Sequence, residues 1–145
     1  MWDEPLLIAT RSFRSRLVVG SERYPSAEIM QRSHDVSGAE LLAVAVRGLD
    51  LASSGSALLT SIEQGRFTAI ATTTGCRTAD EAIRTAYLSR ESGLGDFVKI
   101  DVLGDARTEM PDLPAILEAT RTLSRDGFAV LPVAGDDPVA ARRLE

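Results

Sequence analysis

The segment from Phe97 to Leu103 carries a lysine and an aspartate two residues apart, Lys99 and Asp101, among apolar neighbours. In a β-strand such residues share a face and lie ~6.6 Å apart along the strand. An apolar interior disfavours the ammonium form of a lysine, so that a free amine becomes available for imine formation with a ketone. A carboxylate beside the imine could move protons at the adjacent carbon. The same carboxylate also favours the ammonium form. The sequence therefore does not decide whether the pKa of Lys99 is lowered or raised.

Lys99 is the only lysine of the chain, because the other 15 of its 16 basic residues are arginines. The alternative to an imine-forming role is a structural one, in which Lys99 reaches water from a strand end or pairs with Asp101. Chance alone would place a single lysine on an inward strand position roughly one time in eight. The pattern by itself therefore leaves both interpretations open.

Other polar residues have plainer expected roles. Arg47, at a predicted strand end, could contact an anion or pair with an acidic neighbour, and the sequence favours neither. Asp136 and Asp137 are expected to cap a helix. Cys76 is expected to be a small packed side chain, because no nearby histidine could activate its thiol. His34 is expected on the surface of an outer helix.

The composition, 44% hydrophobic and 26% charged, is typical of a globular protein. We expect a single domain over residues 1–145, because no linker or low-complexity tract divides the chain. A net charge of -5 without a basic cluster argues against a nucleic-acid partner. One cysteine and one histidine rule out an internal disulfide and argue against a metal site, and we expect no metal and no cofactor. No apolar stretch approaches the ~20 residues of a membrane span, so we expect a cytoplasmic protein that does not bind membranes.

Short apolar runs alternate with longer segments of helical periodicity, a pattern typical of βα units on a parallel sheet. The predicted strands are Arg16–Gly20, Leu41–Val46, Phe67–Thr72, Phe97–Leu103 and Ala129–Pro132. The predicted helices are Ser26–Ser37, Ser56–Gln64, Thr78–Ser92, Leu113–Asp126 and Pro138 to the end. A short strand over Leu6–Ala9 is expected to form a hairpin before them.

Capping residues support these elements. Thr78 to Glu81 has the pattern of a capping box, Gly93 and Gly127 lie where helices should end, and Asp137-Pro138 fits a helix start. The absence of a G-x-G-x-x-G fingerprint favours a barrel over a dinucleotide-binding sheet. An eight-unit barrel needs roughly 250 residues. The sequence therefore predicts an α/β fold, a partial (β/α)8 TIM barrel of about five βα units.

Beyond these patterns, the chain resembles bacterial thiazole synthases along nearly its whole length. The similar stretches are Phe13–Gly20 with Tyr24–Ser26, Val44–Arg47, Thr74–Cys76 with Thr78–Ala82, Ser92–Leu94, Val98–Gly104, Gly127–Phe128 with Val130–Pro132, and Asp136–Pro138 with Ala141–Arg142. Each stretch is weak evidence alone, but their order and spacing together are specific.

The resemblance implies a barrel that condenses 1-deoxy-D-xylulose 5-phosphate, 2-iminoacetate (dehydroglycine) and sulfur from the thiocarboxylate of a small sulfur-carrier protein. It implies that Lys99 forms an imine with the substrate ketone and that Asp101 stands where the family has its acid/base glutamate. Arg47, Thr74 and Gly75 fall in similar stretches at predicted strand ends, where we expect substrate contacts. An open sheet exposes edges and apolar surface, so we also expect a homo-oligomer.

The chain departs from the family pattern at several strand ends. Ser21–Arg23 replaces a Thr-Gly-Lys stretch, Gly48 replaces a second arginine, Thr72 replaces an asparagine, and Asp101 is one methylene shorter than the family glutamate. The Gly-rich loops with which the family holds substrate phosphate have no match in this sequence. Two alternatives therefore stay open: a non-catalytic partial-barrel relative that acts as an assembly partner, and another imine-forming barrel such as an aldolase.

Overall fold

The computed structural model describes residues 4–48 and 54–145, which contain a five-stranded parallel sheet with a helix after each strand. The strands are β3 (Val18–Gly20), β4 (Leu41–Ala45), β5 (Thr68–Thr72), β6 (Phe97–Ile100) and β7 (Ala129–Pro132). The helices are α1 (Ala27–Ser37), α2 (Ser54–Glu63), α3 (Ala79–Glu91), α4 (Leu113–Arg125) and α5 (Pro138–Leu144). An antiparallel hairpin of β1 (Leu6–Ile8) and β2 (Arg11–Phe13) precedes them, as the sequence predicts.

The order of the strands in the sheet is their order in the chain, from β3 to β7. Every βα unit therefore adds its strand on the same side of the previous one, as in a barrel, whereas a doubly wound sheet reverses direction. The predicted α/β fold with five βα units of a barrel is thus confirmed. No helix in the described segments is long and apolar enough to cross a membrane.

The two faces of the sheet carry different residues because side chains alternate along each strand. The outer face packs against the helices through buried side chains that include Leu42, Val44, Val98 and Ile100. The inner face carries a second, smaller cluster, which consists of Phe13, Leu41, Ile70 and Phe97 with Leu6 and Ile8 of the hairpin beside it. The hairpin therefore covers the amino end of the inner face.

Strand β6 ends earlier than predicted, at Ile100 rather than Leu103. Beyond Ile100 the backbone leaves the regular ladder: Val102 forms an isolated bridge with Cys76, and Leu103 forms one with Pro111. Ile100 and Val102 nevertheless both belong to the outer-face core. Asp101, between them, therefore projects toward the inner side, the face on which Lys99 lies.

The prediction for His34 is wrong, because this side chain is buried, with 3% of its surface exposed. Its Nε2 lies 2.9 Å from the carbonyl oxygen of Gly20, and its ring packs edge-on against Tyr24 and Phe67. Since a carbonyl only accepts, Nε2 carries the proton. Met30, four residues earlier, is also buried and lies on the same face of α1. This spacing of four residues is the sequence pattern that indicates burial of His34.

Most of the predicted helix caps are found in the structure. Thr78 Oγ1 accepts from the Glu81 amide at 3.2 Å, but the Glu81 carboxylate accepts the amide of Arg77 rather than that of Thr78. Asp137 alone caps α5, through the Val139 amide at 2.8 Å, so the prediction of a capping role for Asp136 is wrong. Gly93 and Gly127 follow α3 and α4 with φ of 85° and 82°, a conformation that favours glycine.

Candidate active site

The polar residues singled out by sequence meet at the carboxyl ends of β4, β5 and β6. Arg47 follows β4, Thr74 and Gly75 follow β5, and Lys99 lies within β6. The ladder aligns Thr72 of β5 with Lys99, so these two side chains are neighbours on the inner face. Because parallel strands end at the same edge, the three strands gather these residues at one end of the sheet.

Lys99 is exposed on the inner face, between Thr72 on β5 and the half-buried Leu131 on β7. Within the described segments it forms no ion pair, either with Asp101 or with another acid. The expected apolar enclosure is therefore not found, because no described element covers this end of the inner face. The amine is open to an incoming substrate.

Asp101 lies one residue beyond β6 and is half-buried. Its backbone is held by Thr73, whose Oγ1 accepts from the Asp101 amide at 2.8 Å and donates to the Asp101 carbonyl at 2.9 Å. The Thr73 amide also donates to the Lys99 carbonyl at 3.1 Å. Thr73 thus contacts the backbone of both predicted catalytic residues, a role that sequence analysis missed.

Arg47 joins the ends of β4 and β5. Its Nη1 donates to the carbonyl oxygen of Gly75 at 3.0 Å, and its Nη2 pairs with the Glu81 carboxylate at 3.3 Å. Of the two roles left open for Arg47, pairing with an acidic neighbour is the one found. Gly75 has a φ of 87°, and the Thr74 hydroxyl lies 3.4 Å from that of Thr72. The predicted binding residues therefore lie at the same edge of the sheet as Lys99, on the two strands that precede β6 in the sheet order.

Cys76 is completely buried, with its Sγ 3.6 Å from the Thr85 hydroxyl. Its backbone carbonyl accepts from the Leu103 amide at 2.9 Å, which ties the β5 and β6 ends together. The prediction that Cys76 packs rather than reacts is consistent with this burial. Among the residues that the structure describes, no three acidic, histidine or cysteine side chains cluster as metal ligands would.

Glu81 makes the stability of the protein depend on pH. The amide of Arg77 and, more weakly, the Arg47 guanidinium lower the pKa of this carboxyl. A lowered folded-state pKa means that the stabilisation is present above the unfolded pKa of about 4.3 and is lost as pH falls through the folded value. We expect Glu81→Gln to be less stable than the parent at pH 7, with the difference shrinking below about pH 4. Urea unfolding at several pH values measures this, and a difference that grows on acidification would contradict it.

The sequential parallel sheet, with its polar residues gathered at the carboxyl ends of the strands, defines a barrel-type α/β protein of the kind that binds substrates at that edge. The sequence profile of the family described as thiazole biosynthesis protein ThiG matches residues 7–145. The chain therefore belongs to the ThiG family.

Curated relatives agree with the family. The chain is 46% identical over 144 residues to a thiazole synthase of Myxococcus xanthus, and the match covers 99% of this chain and 55% of the relative. It is 48% identical over 143 residues to a thiazole synthase of Solibacter usitatus, covering 98% and 55%. The chain spans about half the length of these relatives.

A solved structure shares the fold. The crystal structure of an Amycolatopsis orientalis BexX/CysO complex contains a chain that superposes with a TM-score of 0.76 at 34% sequence identity. The match covers 98% of this chain and 59% of the other. The arrangement of βα units described above therefore recurs in a crystallised protein.

Proposed function

We propose that the chain functions as a thiazole synthase, which joins 1-deoxy-D-xylulose 5-phosphate, 2-iminoacetate and the sulfur of a carrier thiocarboxylate into a thiazole phosphate. The proposal rests on the position of Lys99 in the sheet. This lysine lies on the inner face of β6, open to solvent, two residues before a carboxylate that projects to the same side. Membership in the ThiG family supports the same reaction.

The chemistry that we propose begins at the Lys99 amine. Its lone pair attacks the ketone carbon of the sugar phosphate, and loss of water leaves an iminium ion. The Asp101 carboxylate then takes the single proton of C3, the hydroxyl-bearing carbon next to the iminium. The electron pair of that C–H bond forms an enamine double bond while the iminium π pair moves to the nitrogen. Neither step needs an oxidant, a metal or a cofactor.

Arg47, Thr74 and Gly75 are proposed as substrate contacts at the same edge. The Arg47 guanidinium has five N–H donors, of which the contacts with Gly75 and Glu81 use two. The remaining donors and the exposed Thr74 hydroxyl could bind oxygen atoms of the substrate. Their position at the same carboxyl edge of the sheet as Lys99 supports this assignment.

A protein partner is part of the proposal. The BexX/CysO structure is a complex of two proteins, which supports binding of a small sulfur-carrier protein by this chain as well. Its thiocarboxylate would have to reach the carboxyl edge of the sheet, where Lys99 lies. We further propose that the chain works in the cytoplasm, as a single domain, and associates into a homo-oligomer.

Incubation of the chain with all three substrates, followed by mass spectrometry for the thiazole phosphate, tests the proposal. We expect product only when the ketose phosphate, the imine and the thiocarboxylate are all present. Aldol cleavage of the ketose phosphate without a sulfur source would point to an aldolase instead. An absence of any turnover would favour the second candidate, a non-catalytic assembly partner, which the half-length match to the relatives and the uncovered inner face around Lys99 motivate.

A further inference from the structure

We infer that Thr73 is a positioning residue for the proposed reaction, because it sets the place from which the Asp101 carboxylate moves a proton. This inference rests on the proposed function. Thr73 itself does not contact substrate, because only 1% of its surface is exposed. Along β5, Ala69 and Ala71 belong to the outer-face core, and the alternation puts Thr73 on that side.

The contact between Thr73 and Asp101 continues the link between β5 and β6 beyond the end of their regular strand pairing. The pairing of β5 with β6 ends at Thr72 and Lys99, so regular strand hydrogen bonds do not extend to Asp101. The Thr73 hydroxyl instead engages both polar backbone groups of Asp101, at 2.8 Å to its amide and 2.9 Å to its carbonyl. The buried Thr73 hydroxyl thus donates one hydrogen bond and accepts another, both with the backbone of Asp101, and so holds that backbone in place.

The Asp101 side chain depends on that backbone for its position. Among the described residues, its carboxylate has no hydrogen-bond or ion-pair partner of its own. Aspartate also has only one methylene between Cα and the carboxyl group, so it has little reach with which to compensate for a backbone shift. A displacement of about 1 Å can slow a reaction step about 100-fold. Loss of the Thr73 hydroxyl should therefore affect proton transfer while leaving the Lys99 amine free to react.

The two steps can be measured separately. Borohydride reduces the Lys99 iminium and traps it as a covalent adduct, which reports imine formation alone. Proton removal and return at C3 exchanges its single hydrogen with solvent, so in D₂O the recovered ketose phosphate gains one mass unit. The ratio of exchange to trapping isolates the step assigned to Asp101.

Thr73→Val removes the hydroxyl at nearly constant volume, and Thr73→Ser keeps it. Thr120→Val is the matched control, because Thr120 is also buried, lies on α4, and its hydroxyl has no hydrogen-bond partner in the described segments. We expect trapping within about twofold of the parent for all three variants. Exchange should fall about tenfold or more in Thr73→Val and stay within about twofold in the other two.

The possible outcomes separate the inference from the proposed function. No trapped adduct on the parent chain would overturn the proposed function itself. A parent that traps, together with a Thr73→Val variant that both traps and exchanges at the parent rate, would overturn the role of Thr73. If circular dichroism finds Thr73→Val unfolded, Thr73→Cys takes its place, because a thiol keeps the volume but is a weak hydrogen-bond donor; unchanged exchange in that variant would overturn the role equally.

Discussion

Replacement of Lys99 by arginine is expected to reduce thiazole phosphate formation on the order of 10³-fold or more. Arginine keeps the positive charge and most of the length of the side chain, but its guanidinium stays protonated and cannot form an imine with a ketone. Because Lys99 is exposed and makes no ion pair with a described residue, the substitution should change stability little. Product formation by the two purified chains measures the effect.

Asp101→Asn is the companion variant for this prediction. It should still form the imine, since the Lys99 amine is intact, but it should lose the proton transfer that follows. A Lys99→Arg chain that retains more than a tenth of the parent activity would contradict the assignment of Lys99. Parent-like product formation by Asp101→Asn would remove the carboxylate from the mechanism while leaving the imine in place.

Truncation of Ile100 to alanine is expected to lower the free energy of unfolding by about 2–5 kcal/mol. Ile100 is completely buried in the outer-face core and lies on β6 between Lys99 and Asp101. The truncation removes three carbons from a packed site and leaves a cavity that the surrounding sheet and helices cannot fully close. Urea unfolding followed by circular dichroism measures the loss.

Ile100→Val is the matched control and should cost only about 0.5–1.5 kcal/mol, because it removes one methyl group. A loss below about 1 kcal/mol for the alanine variant would mean that the packing between β6 and the helices is looser than described. Since Ile100 faces away from Lys99, the valine variant should keep imine trapping at the parent level.

The elements of the fold follow closely from local sequence signals. The strands Leu41–Ala45 and Ala129–Pro132 are continuous apolar runs, and Thr68–Thr72 is apolar between its two threonines, as expected for strands of a parallel sheet. Thr78 and Asp137 mark helix starts by their capping oxygens. The parallel order of the strands follows from the helices between them, because a helical crossover joins neighbouring parallel strands.

Features that depend on contacts between distant segments could not be predicted. The spacing of Met30 and His34 marks one face of α1, but the packing of His34 against Gly20, Tyr24 and Phe67 follows from no local pattern. The early end of β6 has the same origin, since Val102 forms its bridge with Cys76, 26 residues earlier in the chain. Both outcomes are set by tertiary contacts rather than by strand propensity.

The candidate site was predicted in part. The shared face of Lys99 and Asp101 follows from their spacing of two, and their place at the carboxyl edge follows from the parallel order of the strands. The apolar surroundings expected for Lys99 were not found, because the alternation of apolar residues does not reveal which end of the inner face is covered. The hydroxyl of Thr73 could not be assigned, since its partner, Asp101, lies 28 residues away.

Intact mass after borohydride treatment with 1-deoxy-D-xylulose 5-phosphate shows whether Lys99 forms the proposed imine. We expect a reduced adduct on the parent chain, no adduct on Lys99→Arg, and a modified peptide that contains residue 99. Because the chain has a single lysine, this assignment is unambiguous among its side-chain amines. An unmodified parent chain, or an equal adduct on the arginine variant, would contradict the claim that Lys99 carries the chemistry.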